Sequence, residues 1–179
     1  MRVVAGEFGG RRLKAPKPSV TRPTSDRVRE ALFATLGDVS GARVLDLFAG
    51  SGALAIEALS RGAAEAVLVE RDRGAAKIVA QNLDGLDLGE PAVRLIERPA
   101  RAALEDAAQR GELYDLVFLD PPYRESAMLG GDPAKVIAPV LAAGARIVTE
   151  SDRRQPLEID FPMIHERRYG DTLIRIHQT

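Results

Sequence analysis

The sequence predicts a doubly wound α/β fold: a mostly parallel, Rossmann-like sheet ending in a C-terminal antiparallel hairpin. Three observations predict it. Beyond Gly41, short apolar runs alternate with stretches long enough for one helix; two of the runs are apolar on both faces; and the last two runs have no helix between them. Helix-length crossovers are what parallel strands need, and strands apolar on both faces belong in a sheet covered by helices on each side.

Residues 1–25 come first. Gly6, Gly9, Gly10, Pro16, Pro18 and Pro23 are spaced too closely for a long helix, so this segment reads as an extended arm with room for one hairpin. Residues 1–30 carry eight Lys/Arg against three acids, which leaves the rest of the chain acidic although the net charge is only -1. A basic head on an acidic body points to a polyanionic partner. Its candidate contacts are Arg2, Arg11, Arg12, Lys14, Arg22, Arg27 and Arg29, on an arm whose glycines leave it mobile until nucleic acid orders it. For Arg27 and Arg29 a solvated helix face, or a pair with Glu30, is an equal alternative.

The second unit, 26–179, begins with a helix. Thr24-Ser25-Asp26 offers N-cap side chains, Val28, Leu32, Phe33 and Leu36 fall on one stripe, and Gly37 ends the run. Strands are then expected at 44–47, 66–69, 93–96, 116–119 and 145–148, and a hairpin from 161–164 and 172–177 about Tyr169-Gly170-Asp171. At 179 residues and 45% hydrophobic content the chain makes one catalytic-sized domain. No apolar window spans a bilayer and no signal-peptide pattern opens the chain, so a cytoplasmic protein with no membrane partner is expected; it is separately expected to be a monomer. Cysteine is absent, which removes disulfides, thiolate metal sites and Cys nucleophiles. His165 and His177 lack companions at ligand spacing and are assigned to the hairpin, so no metal is expected.

Two segments carry chemistry. Asp46-Leu47-Phe48-Ala49-Gly50-Ser51-Gly52 ends the first strand and opens a helix, which is where open α/β sheets bind cofactors. With Glu70 at the end of the second strand, the turn also fits a dinucleotide fingerprint. Asp46 separates the readings, because a carboxylate there repels a pyrophosphate but welcomes the ammonium and sulfonium of S-adenosyl-L-methionine. The donor contacts expected here are Asp46, Phe48, Ala49, Gly50, Ser51, Gly52, Glu70, Arg71 and Asp120.

The second segment is Asp120-Pro121-Pro122-Tyr123, after the buried run Leu116–Leu119. In a sheet whose order reverses after the first strand, it faces the glycine turn. An exocyclic amine on a base is a poor nucleophile because its lone pair is delocalised. The Asp120 carboxylate and the Pro121 carbonyl could each accept one of its N–H groups and stabilise the charge that develops as a methyl is received. Pro121 and Pro122 restrict the backbone, and Tyr123 offers a face for stacking. Such a transfer needs neither metal nor covalent intermediate.

At these residues the chain resembles the bacterial small-subunit ribosomal RNA guanine-N2 methyltransferases, the RsmD family. The likeness runs through Ala5-Gly6, Gly10-Arg11, Leu13, Thr21-Arg22-Pro23-Thr24, Asp26-Arg27-Val28-Arg29-Glu30, the Asp46 to Gly52 turn, Glu57-Ala58-Leu59-Ser60-Arg61-Gly62 and Asp120 to Tyr123. It implies a class I methyltransferase fold, S-adenosyl-L-methionine as donor, and one guanine N2 of 16S ribosomal RNA, free or in an assembling 30S particle, as acceptor. One departure stands out: where relatives place Asp or Asn before Ala, this chain has Glu97-Arg98-Pro99-Ala100, which leaves the adenine to the Ala100 backbone N–H with apolar packing, or to a neighbouring residue. Three alternatives stay open: a DNA or other RNA amino-methyltransferase, a nicotinamide-dependent oxidoreductase, and a non-catalytic RNA-binding assembly factor.

Overall fold

A computed structural model of the chain describes residues 1–16, 25–121 and 132–179. The elements follow in the order α1 (Asp26–Leu36), β1 (Arg43–Asp46), α2 (Ala53–Ser60), β2 (Glu65–Val69), α3 (Arg73–Asp84), β3 (Val93–Ile96), α4 (Ala100–Gln109), β4 (Tyr114–Leu119), α5 (Pro133–Ile137), β5 (Leu141–Asp152), β6 (Met163–Tyr169) and β7 (Thr172–Gln178).

Seven strands form one sheet in the order β3-β2-β1-β4-β5-β7-β6. The first five pair in parallel, and β7 runs antiparallel to both β5 and β6. The order reverses between β1 and β4, the switch point at which such sheets open a crevice. Alternation along each strand divides the core in two. Val44, Leu68, Phe118 and Val148 face α1, α2 and α3, whereas Leu45, Val67, Val117 and Ile147 face Leu104 of α4 and Ile137 of α5.

The leading helix forms as its caps dictate. Ser25 Oγ accepts the Val28 N–H, and Gly37, at φ 71°, ends the helix with its N–H donated to the Phe33 carbonyl. Leu32, Phe33 and Leu36 are buried, with Phe33 tilted against Phe118 of β4.

Three expectations are corrected. Residues 1–16 are not a free arm: the hairpin the segment had room for forms, bridged at Arg2 and Arg12, but it is docked, with Val3 and Leu13 buried in the core. Two buried aliphatic side chains outweigh the freedom that the glycines would otherwise give, at about 1.5 to 3 kcal/mol each. Arg29 is the second correction. Its side chain is fully buried and donates to the Arg2 carbonyl and to Asp26 Oδ1, so it ties the hairpin to α1 rather than meeting RNA. Third, the hairpin strand expected at 161–164 starts at Met163 and runs on through the charged residues to Tyr169. As the outermost strand β6 faces solvent, and charges are favoured on such an edge. Of the hairpin's two histidines, His177 is buried, its Nδ1 3.0 Å from the Phe161 carbonyl oxygen.

Candidate active site

The glycine turn is anchored from both sides. The Leu47 N–H donates to the Phe118 carbonyl of β4 at 3.2 Å, and the Ala49 N–H to the Val69 carbonyl of β2 at 3.0 Å. The Gly50 N–H donates to Glu70 Oε2 at 2.9 Å, while Glu70 Oε1 takes the Asp72 N–H at 2.8 Å. The predicted turn residues and Glu70 are therefore brought together, and Glu70 keeps acceptor capacity on both oxygens. Gly52 sits at φ 78°, and a Cβ there would meet Leu68 Cδ2 at 3.0 Å, so the chain turns tightly only with glycine.

Asp46 is buried, and its Oδ1 has no hydrogen-bond partner. Burial pushes its carboxyl up to about 7, and Glu70 adds to the effect, while the backbone amides of Phe48 and Ala55 oppose it. A buried carboxyl with an unused oxygen, beside a turn held open by glycines, suits a cationic group. The donor expected from the sequence fits on that ground: the ammonium would satisfy Asp46, and the ribose hydroxyls would reach Glu70.

Asp120 follows β4, the strand next to β1, and so lies across the switch point from the turn. Its carboxyl is held well above the usual carboxylate range, first by desolvation, then by Glu150 and by Asp46. Pro121 is buried beside it. Pro122, Tyr123 and Arg22 lie outside the described residues. Phe48 is half-buried against the α4 side of the core, and Arg71 is exposed just past Glu70. Ala100 is buried as the first residue of α4, where its N–H has no acceptor within the helix.

Glu150 is the site residue that sequence reasoning missed. Leu119 pairs with Thr149, so Asp120 and Glu150 come next on adjacent strands. By alternation both share a face with Phe118, Val148 and Asp46. Glu150 is only 5% exposed. The signal was present, since Glu150 extends the run Ala145–Thr149 by one residue, as Glu70 extends its own strand. The sequence reading ends this strand at Val148, whereas it runs on to Asp152.

Of the basic residues expected to meet nucleic acid, Arg2, Arg11, Arg12, Lys14 and Arg27 are exposed. Arg11 Nη2 also donates to the Gly85 carbonyl at 2.7 Å, Lys14 Nζ to Gln81 Oε1 at 3.0 Å, and Arg2 lies 3.4 Å from Asp26. Among the described residues no group of His, Asp or Glu could hold a metal ion, and no helix is long and apolar enough to cross a membrane.

The family described as "Conserved hypothetical protein 95" matches residues 1–178. YlbH of Bacillus subtilis, assigned as an rRNA methyltransferase, is 40% identical over 99% of this chain and 98% of its own length. Ribosomal RNA small subunit methyltransferase D of Haemophilus influenzae is 31% identical over 99% and 93%. Among solved structures, yhhF of Escherichia coli, assigned as a methyltransferase, superposes with a TM-score of 0.81 at 35% identity over 99% and 97% of the two chains. With one family spanning virtually the whole length, and a switch-point site built from the same segments that carry the resemblance, the chain belongs to the ribosomal RNA small subunit methyltransferase D family.

Proposed function

We propose that this chain methylates the exocyclic N2 of a guanine in small-subunit ribosomal RNA, using S-adenosyl-L-methionine as donor. One observation carries the reading. A buried, cation-seeking carboxyl at Asp46 and an amine-accepting pair at Asp120 and Pro121 stand at the ends of neighbouring strands, on either side of the switch point. The names of the full-length relatives support a ribosomal RNA substrate.

Bound at the turn, S-adenosyl-L-methionine supplies a methyl group on a cationic sulfur. Asp46 would hold the donor's ammonium, Glu70 its ribose, and the Ala100 N–H would meet its adenine. Asp120 and the Pro121 carbonyl accept the two N–H groups of the target amine and turn its lone pair toward the methyl. As the nitrogen bonds to the methyl carbon, the carbon–sulfur bond breaks and its electron pair returns to sulfur, leaving S-adenosylhomocysteine, while the nitrogen becomes cationic and must shed one proton. Asp120 is suited to hold that proton, because burial and the nearby Glu150 and Asp46 raise its affinity for one. The exposed Arg2, Arg11, Arg12, Lys14 and Arg27 supply phosphate contacts that position the RNA without reading its sequence. Tyr123 is assigned to stacking on the base, and Arg22 to the same basic surface, on sequence grounds.

The test is mass mapping of ribosomal RNA from cells with and without the gene, combined with methyl transfer in vitro from labelled donor to free RNA and to assembling 30S particles. The reading requires one missing guanine methyl in the deleted strain. Methylation of naked duplex DNA instead would move the substrate to DNA, and incorporation into neither would leave an RNA-binding assembly factor.

A further inference from the structure

The N-terminal hairpin does more than present arginines: it touches the donor turn. Ser51 Oγ donates to Met1 Sδ at 3.2 Å. A second link runs through Asn82 on α3, which is 4% exposed. Asn82 Nδ2 donates to the Lys14 carbonyl at 3.0 Å and to the Ser51 carbonyl at 2.9 Å, and its Oδ1 accepts the Lys14 N–H at 2.8 Å. Both amide hydrogens are used, and the residues they join lie 37 apart in the sequence, one on the hairpin and one between the two glycines of the turn.

A buried asparagine needs partners, but those partners could all have come from its own helix or loop. Here they come from two segments with separate tasks. Apart from the Met1 contact, the turn's other anchors come from the ends of β2 and β4. We propose that Asn82 is a positioning residue for the donor site, fixing Ser51 to the docked hairpin so that donor affinity depends on the hairpin being in place. This rests on the reading that the glycine turn holds S-adenosyl-L-methionine. Its consequence is reciprocal: whatever the donor gains from a docked hairpin, the hairpin gains in turn from bound donor, and RNA seated on the hairpin is felt at the methyl donor.

The experiment measures S-adenosylhomocysteine affinity calorimetrically on the full chain, with melting curves to show that each variant is folded at the assay temperature. Asn82→Asp keeps the shape and the bond from the Lys14 N–H, but sets an oxygen against two carbonyls. Lys14→Pro removes the N–H that Asn82 Oδ1 accepts, together with the Lys14 side chain and its contact to Gln81. Gln81→Met removes the Lys14 side-chain contact and leaves the bridge alone. The first two are expected to weaken binding by about fivefold or more, the size of one hydrogen bond, and the third to leave it unchanged. The double variant should lose less than the product of the singles, because both break one bridge. Folded Asn82→Asp or Lys14→Pro protein with wild-type affinity would overturn the proposal and leave Asn82 a structural residue. Wild-type protein without affinity for S-adenosylhomocysteine would instead bring down the donor reading beneath it.

Discussion

The Gly50 N–H and Glu70 Oε2, 20 residues apart in sequence, meet at 2.9 Å across the ends of β1 and β2. One carboxylate therefore shapes the donor turn and remains available to a ligand lying on it. Glu70→Gln removes the charge from both tasks. Hydrogen bonds to charged groups contribute about 1.5 to 3 kcal/mol, so S-adenosylhomocysteine affinity should fall by roughly 10- to 100-fold in titration calorimetry. Unchanged affinity would take Glu70 out of the site.

Asp46 is expected to make donor binding depend on pH. Its carboxyl sits at about 7 in the free protein, and an ammonium beside Oδ1 would draw it to the ionised form. Binding should then release a proton below pH 7, with affinity rising up to about that pH and levelling off above it. Titrations in buffers of different ionisation enthalpy would register the proton, and a flat profile would reject the contact.

The same group works against folding. Its folded-state value lies above the unfolded one, so the folded protein binds more protons between about pH 4 and 7, and stability falls as pH rises through that window. Asp46→Asn removes a burden of up to roughly 4 kcal/mol at pH 8. The variant should melt higher at pH 8 than the parent while binding donor poorly. A lower melting temperature at pH 8 would show that the carboxylate is satisfied.

Asp120→Asn keeps an acceptor for the amine but cannot hold its proton. Turnover should fall on the order of 100-fold or more with donor affinity little changed. Glu150→Gln removes one of the charges that raise the Asp120 carboxyl, so the acid limb of the kcat/KM profile should move to lower pH. A limb that stays in place would separate Glu150 from the reaction.

Gly6 lies at φ 81°, and a Cβ on it would come 1.7 Å from the Ser60 carbonyl oxygen. Gly6→Ala should cost about 2 to 4 kcal/mol, from overpacking and from a left-handed backbone. Melting should drop on the order of 10 °C. Arg12→Gln, by contrast, should leave melting unchanged and reduce the salt dependence of RNA binding by about 0.7 to 0.9 in log-log slope. Equal slopes for the two proteins would place the RNA elsewhere.

Much of this molecule could be read along the chain. Alternation and spacing give the parallel strands, the switch point beside the first strand and the closing hairpin, because backbone hydrogen bonding and two-sided burial leave few ways to arrange such runs. Asp46, Glu70 and Asp120 are legible for a related reason: a polar residue at the carboxyl end of a buried strand of this fold faces the crevice.

What the one-dimensional pattern left undecided was the fate of polar groups whose partners are distant in the chain. Arg29 reads as one more basic residue until Arg2 and Asp26 close around it. Glu57 enters the sequence reading only within the Glu57 to Gly62 likeness, with no role attached, yet it is fully buried and accepts the N–H groups of Val4 and Ala5. Asn82 carries no pattern at all. The sequence by itself determined the layers and the switch point, since local periodicity and chain connectivity act over short range. Tertiary structure alone decided that the basic head docks, that Glu150 stands beside Asp120 and that Asn82 joins hairpin to turn, because a buried polar group is specified by whichever partner the folded chain brings to it.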